Sequence, residues 1–255
     1  LRTDEGTQVE LRALGEGSIA LRRAGGREGA ERAEVRLADG GELVALGEQE
    51  VRVRGDSIAL DGRVVETGED IEAEGGGSRP RRAFLPEYAK VTGGVSFTRD
   101  EETLTGGWAE LFFDGAGSVQ RVRVYEDPVA RGRVALGEGP EAEPVEVTLS
   151  GLGPMELVYS AESPLAELGL PGPATLEVTG AALRLEASDR IQGEFWGRGL
   201  ARLSLRGEVA GEYEGTLLEG RDIDVRGSDL EGAERRVLLG TAAPSVISGT
   251  TDDGQ

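Results

Sequence analysis

Apolar side chains recur at every second position in short runs along most of this chain, the spacing of strands that bury one face. The pattern is cleanest over residues 91–125. Val95 and Phe97 lead into a charged turn at residues 99–102. The chain returns through Leu104 to Phe113, turns again at residues 114–117, and leaves through Val119, Val122 and Val124. These are the strands of an antiparallel meander. Leu104, Gly106, Ala109, Leu111 and Phe113 share one face if the alternation breaks at Gly106 and Gly107, where glycine makes a bulge cheap.

Upstream, residues 8–14 and 19–23 alternate in the same way. Residues 31–37 do so with a helical turn as the alternative, and Val51, Val53, Ile58, Leu60, Val64 and Ile71 continue it in short runs between Gly-Asp and Asp-Gly turns. Residues 75–82, rich in glycine and arginine, read as an exposed loop. Further strands are expected at residues 131–136, 145–149 and 156–159. Residues 163–170 suggest one helical turn capped by Ser163 with Pro164 at its first position. From Ala174 the alternation resumes through Val237, with turns every eight to twelve residues. The glycine, proline and glutamate of residues 137–144 mark a module boundary, giving modules at 1–136 and 145–240. The polar tail 241–255 is expected to be disordered.

Composition sharpens this into an all-β reading. Forty-one glycines with only 4% aromatic residues suit many short strands and poorly suit packed helices. A net charge of −20 disfavours a polyphosphate partner, so nucleic acid is not expected, although Arg79, Arg81 and Arg82 form a local cluster able to touch a phosphate. The chain has neither cysteine nor histidine, which removes disulfides, thiolate zinc sites and histidine-based triads. No apolar run is long enough to cross a bilayer as a helix.

Few residues suggest chemistry. Trp108 and Trp196 are candidate ligand platforms, with Phe112, Phe113 and Phe195 as candidate lids, against the plainer reading of local packing. Asp222 and Asp224 fall on one face of a strand, about 6 to 7 Å apart, close to the spacing of a retaining glycosidase pair; Glu101 and Glu102 are a weaker pair. With 48 acidic residues such pairs arise by chance, and no enzyme activity is expected. Lys90 is the only lysine and no phosphate-binding loop is complete. Asp252 and Asp253 lack the further ligands of a calcium loop, so neither cofactor nor metal is expected.

A phrase recurs in the chain: an apolar residue, any residue, a small residue, a polar residue or glycine, then alternating apolar positions. It appears at residues 104–113, 185–195 and 218–225, and partially at 71–74. In Leu104, Gly106, Gly107, Ala109 and Leu111, in Leu185, Ala187, Asp189 and Ile191, and in Leu218, Gly220, Arg221, Ile223 and Val225, it resembles the repeat of the OstA-like family of periplasmic lipopolysaccharide-transport proteins. The likeness covers most of residues 51–237. It departs in the loosely kept small-acidic pair, in aliphatic residues at aromatic positions, and at residues 75–89, which have no counterpart.

The resemblance implies an elongated, half-open antiparallel β-jellyroll, with two fused modules as one arrangement, that shields the acyl chains of lipopolysaccharide or a similar glycolipid between membranes. It implies a periplasmic location; the start at Leu1, without methionine, is expected to follow a removed upstream signal or anchor. The groove would be lined by Val95, Phe97, Leu104, Ala109, Leu111, Phe113, Val122 and Val124, and further along by Leu183, Leu185, Ile191, Leu203, Leu205, Ile223 and Val225. An open stack of strands also leaves edges, and Val9 and Leu11 lie in a first strand with no proline to block it. That edge is expected to dock another β-jellyroll protein, or a second copy, end to end. The alternatives are a structural β-solenoid or filament scaffold and a carbohydrate-active β-helix.

Overall fold

The computed structural model describes residues 8–14, 19–24, 31–46, 50–72, 78–135, 144–159, 165–179, 183–196, 199–213, 216–226, 236–238 and 246–248. Among these the protein is all β, with twenty strands and no helix. In chain order they are β1 (Gln8–Ala13), β2 (Ile19–Ala24), β3 (Glu31–Leu37), β4 (Gly41–Leu46), β5 (Val51–Gly55), β6 (Ser57–Glu72), β7 (Ser78–Arg99), β8 (Glu102–Phe113), β9 (Val119–Tyr125) and β10 (Val129–Ala135). The second half holds β11 (Pro144–Gly151), β12 (Met155–Tyr159), β13 (Leu165–Pro171), β14 (Ala174–Thr179), β15 (Leu183–Ala187), β16 (Arg190–Trp196), β17 (Gly199–Tyr213), β18 (Thr216–Arg226), β19 (Arg236–Leu238) and β20 (Val246–Ser248). The alternation explains them: in β5 Val51 and Val53 are buried while Arg52 and Arg54 are exposed, and in β12 Met155, Leu157 and Tyr159 are buried.

The chain forms two compact units, Leu1–Asp100 with Gly107–Val122, and Glu101–Gly106 with Arg123–Gln255. In the first unit, β1, β4, β5 and residues 96–99 of β7 make one antiparallel ladder. A second ladder runs β2, β3, β6 and residues 78–92 of β7. Side chains of β8 then meet β7: Tyr88 donates to Glu110 at 2.9 Å, and the Lys90 ammonium lies 4.7 Å from the Trp108 ring centre. Strand β7 thus belongs to both ladders and bends between them at Gly93 and Gly94, whose φ of 80° and 67° suit glycine. The ladders face each other, since a side chain at Gly41 would lie 3.1 Å from Leu37 and 3.2 Å from Ile58.

The second unit repeats this order with new strands. One of its ladders contains β11, β14, β15 and residues 209–213 of β17, the other β12, β13, β16 and residues 199–206. Strand β17 bends at Gly207, with φ 83°, as β7 bends at Gly93. Strand β10 pairs with residues 103–105 of β8, and β20 pairs with residues 217–219 of β18. The ladders of β11 to β18 therefore follow the order of those of β1 to β8. The cores match as well: Leu37, Ile58 and Val91 stand in one cross-strand row, Leu170, Ile191 and Leu205 in the other, and all six are at most 1% exposed.

Each described passage from one ladder to its partner lies on the same side of the unit. In the first unit Leu14 N donates to Gly40 O at 3.2 Å, Gly40 N to Asp56 O at 2.7 Å, and Asp56 N to Gly93 O at 3.2 Å, tying successive crossings together. The second unit reproduces the chain, with Gly172 N donating to Asp189 O at 2.7 Å and Asp189 N to Arg206 O at 3.1 Å. Positive φ values gather here, at Asp39, Gly40, Gly93, Gly94, Glu126, Asp127, Gly172, Gly207 and Asp222. On the opposite side successive strands such as β4 and β5, or β14 and β15, simply pair with each other inside one ladder.

Several expectations change. Residues 165–170 are strand, not a helical turn, because β13 is paired on both edges and Leu170 is wholly buried; Ser163 and Pro164 lie outside the described residues. Residues 78–82 are strand rather than loop, and the β6–β7 ladder absorbs Pro80 and Pro86 beside register shifts at Glu66/Asp70 and Asp61/Gly62. Residues 31–37 take the strand alternative. Within the tail expected to be disordered, Val246–Ser248 forms β20; residues 241–245 and 249–255 lie outside the description, as do residues 137–143 of the expected module boundary.

Candidate functional site

The recurring phrase of the sequence is the crossing itself. Val53-Gly55-Ile58, Leu104-Gly106-Ala109, Leu149-Gly151-Met155, Leu185-Ala187-Ile191 and Leu218-Gly220-Ile223 each run inward residue, small residue, corner, inward residue. The small residue is required because the ladders converge there. A side chain at Gly55 would run into Val91, one at Gly106 into Val124 and 2.7 Å from Tyr125 O, and one at Gly151 to 2.8 Å from Leu170. Of the partial match at residues 71–74, Ile71 and Glu72 end β6 in its pairing with β7, and residues 73–74 lie outside the described residues.

Away from the corner the inward residues grow. In the first unit Gly41 and Gly55 give way one row further out to Leu43, Val53 and Phe97, facing Val35, Leu60 and Ala89. In the second, Ala174 and Ala187 give way to Leu176 and Leu185. In these ladders small residues stand nearest the corner and large ones beyond it, while the facing ladder of the first unit runs the other way, from Leu37, Ile58 and Val91 to Val35, Leu60 and Ala89, so the two complement each other across the wedge between the ladders. The expected groove-lining residues belong to this interior where described. Val95, Phe97, Ala109, Leu111, Phe113 and Val122 in the first unit, and Leu104, Val124, Leu185, Ile191, Leu203, Leu205 and Ile223 in the second, are 0–8% exposed. The wedge is filled by its own side chains. Leu183, in the outermost row, is half-buried; Val225 pairs with Leu203 in the ladder, and its side chain lies outside the description.

The other candidates face outward or support the fold. Trp108 takes Lys90 on its face, and Phe112 meets Tyr88 edge-on at 5.5 Å, while Phe113 points inward. The side chains of Phe195, Trp196, Arg79, Arg81 and Arg82 lie outside the description. Asp222 Oδ1 accepts from Gly207 N at 2.9 Å, bracing the bend in β17. Asp224 accepts from Ser204 Oγ at 2.6 Å and from Arg206 at 2.8 Å, with Arg202 at 3.5 Å. Burial pushes the Asp224 carboxyl up, but the Ser204 and Arg206 hydrogen bonds and the two guanidinium charges outweigh it and hold it below the ordinary value. The pair is thus committed to the strand bend and to an ion cluster, not posed as acid and nucleophile.

Sequence reasoning did not single out two outer features. Glu42, 3% exposed, sits between Arg54 at 2.8 Å and Arg12 at 3.7 Å on neighbouring strands. In the second unit the matching outer face is an acidic hollow of about 550 Å³ beside Thr175, Glu186, Glu208 and Glu219. Among the described residues no cluster of three or more acidic side chains is placed to hold a metal. No family model, no curated protein and no solved structure matches the chain.

Proposed function

We propose that the protein shields the acyl chains of lipopolysaccharide or a similar glycolipid inside the wedge, in the periplasm, as the likeness to OstA-like repeats implies. The observation that supports this is the placement of every described crossing on one side of each unit. In the first unit the two sheets, joined along one side among the described residues, can part along the other without breaking a described ladder pairing; in the second, the parallel pairing of Ala135 with Gly199 links the far side and has to open as well. The inward surface so uncovered is aliphatic, with few aromatic rings to block it. Each Å² of acyl surface taken from water into it contributes about 25 cal/mol, so a chain with roughly two hundred Å² covered gains about 5 kcal/mol. That gain replaces side-chain contacts between the sheets, which keeps retention weak enough for passage.

A photo-crosslinking residue at Leu183, half-buried in the outermost row, tests this against one at its outward neighbour Arg184. Incubated with purified lipopolysaccharide, the Leu183 position should capture lipid and the Arg184 position should not. Equal capture at both, or none at either, overturns the reading. A parallel incubation with phospholipid vesicles distinguishes a glycolipid cargo from a general affinity for acyl chains.

A further inference from the structure

We propose that the hollow on the outer face of the second unit docks an arginine-bearing segment of a protein partner, with the guanidinium seated on Ala210 between Glu186 and Glu219. The hollow, about 550 Å³, has aliphatic walls that include Pro173, Ala187 and Val209, and its lining holds three glutamates and no basic residue. Glu186, Ala210 and Glu219 stand in one cross-strand row on β15, β17 and β18, and all three are exposed. Two strand spacings put the glutamates about 10 Å apart at their Cα atoms, with only a methyl side chain between them. A guanidinium there reaches a carboxylate on each side while its stem lies on the aliphatic wall.

The first unit shows how such a row is satisfied. There Arg12, Glu42 and Arg54 stand side by side on β1, β4 and β5, and Glu42 is held by Arg54 at 2.8 Å and Arg12 at 3.7 Å. In the second unit the strand order makes Ser150, Thr175 and Glu186 the counterparts of these three, so both arginines are gone and an acid replaces one of them. The cations nearby do not make up the difference. Arg184, one row further out, is shared between Glu186 at 2.9 Å and Glu177 at 3.2 Å. Arg221 lies opposite Glu208 in the ladder, yet among the described residues neither Glu208 nor Glu219 makes an ion pair. An apolar anchor adjoins the hollow. Leu152 is 73% exposed and follows Gly151, which pairs with Ala174 of the hollow wall. An exposed ion pair alone contributes little, so this leucine favours a peptide segment, with an apolar residue near its arginine, over a small cation.

The inference is independent of the lipid reading, and its test contains no lipid. The amidated tetrapeptides Leu-Ala-Arg-Ala and Leu-Ala-Gln-Ala, each with an N-terminal fluorophore, are titrated with the full-length protein at low ionic strength and read by anisotropy. The arginine peptide should bind about tenfold or more tightly than the glutamine peptide. Glu219→Gln should weaken it by about fivefold, whereas Glu101→Gln, in an exposed turn outside the hollow, should leave it unchanged. Ala210→Arg supplies the guanidinium from the chain itself, so it should abolish peptide binding and raise the thermal midpoint. Equal affinity for the two peptides, unchanged affinity in Glu219→Gln, or peptide binding or a lowered midpoint in Ala210→Arg overturns the inference. Displacement of the arginine peptide by an equimolar amount of spermidine overturns it too, because a free polyamine is then the occupant.

Discussion

Two glycines with the same left-handed backbone separate strain from space. A Cβ added at Gly94, φ 67°, would meet nothing within 4 Å, whereas at Gly207, φ 83°, it would strike Ser188 and come within 2.6 Å of Asp189. Gly94→Ala should therefore cost about 1 kcal/mol and Gly207→Ala about 3 kcal/mol, read by denaturant unfolding. Two carboxylates give opposite pH signatures. Asp224 is held below its ordinary value of 3.8, so its contribution is fully present above that value and is lost as pH falls through the lower folded value. Asp224→Asn should be less stable than the parent at neutral pH, and the gap should close in strong acid. Asp61 is pushed up, first by burial and then by Glu34, which stands directly opposite on β3. Its ionisation opposes folding, so Asp61→Asn should raise the thermal midpoint at neutral pH, a gain that fades as pH falls towards 3.8. None of these partnerships was readable in the sequence, because acidic residues are too common for any one to stand out.

Strands were legible wherever alternation was strict, as in β5, β8 and β9, and the recurring phrase correctly marked Leu104, Leu185 and Leu218. It missed the crossings at Val53 and Leu149. The corner holds two residues after Gly55, Gly106 and Gly220 but three after Gly151 and Ala187, and no fixed spacing captures both. The doubling of the strand order was hidden for a similar reason. Ile58 and Ile191 are 133 residues apart, but Val91 and Leu205 only 114, because the β6–β7 hairpin is 19 residues longer than β16–β17. That extra length extends one hairpin without carrying a crossing. Replacing residues 64–84 by a two-residue Gly-Arg turn should leave a cooperative thermal transition with a β spectrum, at a cost of about 3 kcal/mol for the buried Phe84. Loss of cooperative unfolding would show that the hairpin tip is part of the core.

For the molecule as a whole, a net charge of −20 opposes any association of like copies. Self-association should therefore strengthen from low to physiological ionic strength, seen as a rising weight-average mass in sedimentation, whereas contacts held mainly by ion pairs would weaken. The single-sided crossings also have a consequence in time. Because the chain steps back and forth at one side, the widest antiparallel pairing among the described residues, Val51 with Arg99, spans 48 positions, and the parallel bridge from Ala135 to Gly199 spans 64. Most β proteins must wait for distant segments before their sheets can close, and fold slowly for that reason. Here each strand finds its partners among those made shortly before or after it, so during synthesis the growing chain can knit row upon row as it leaves the ribosome, each new strand pairing with one already laid down.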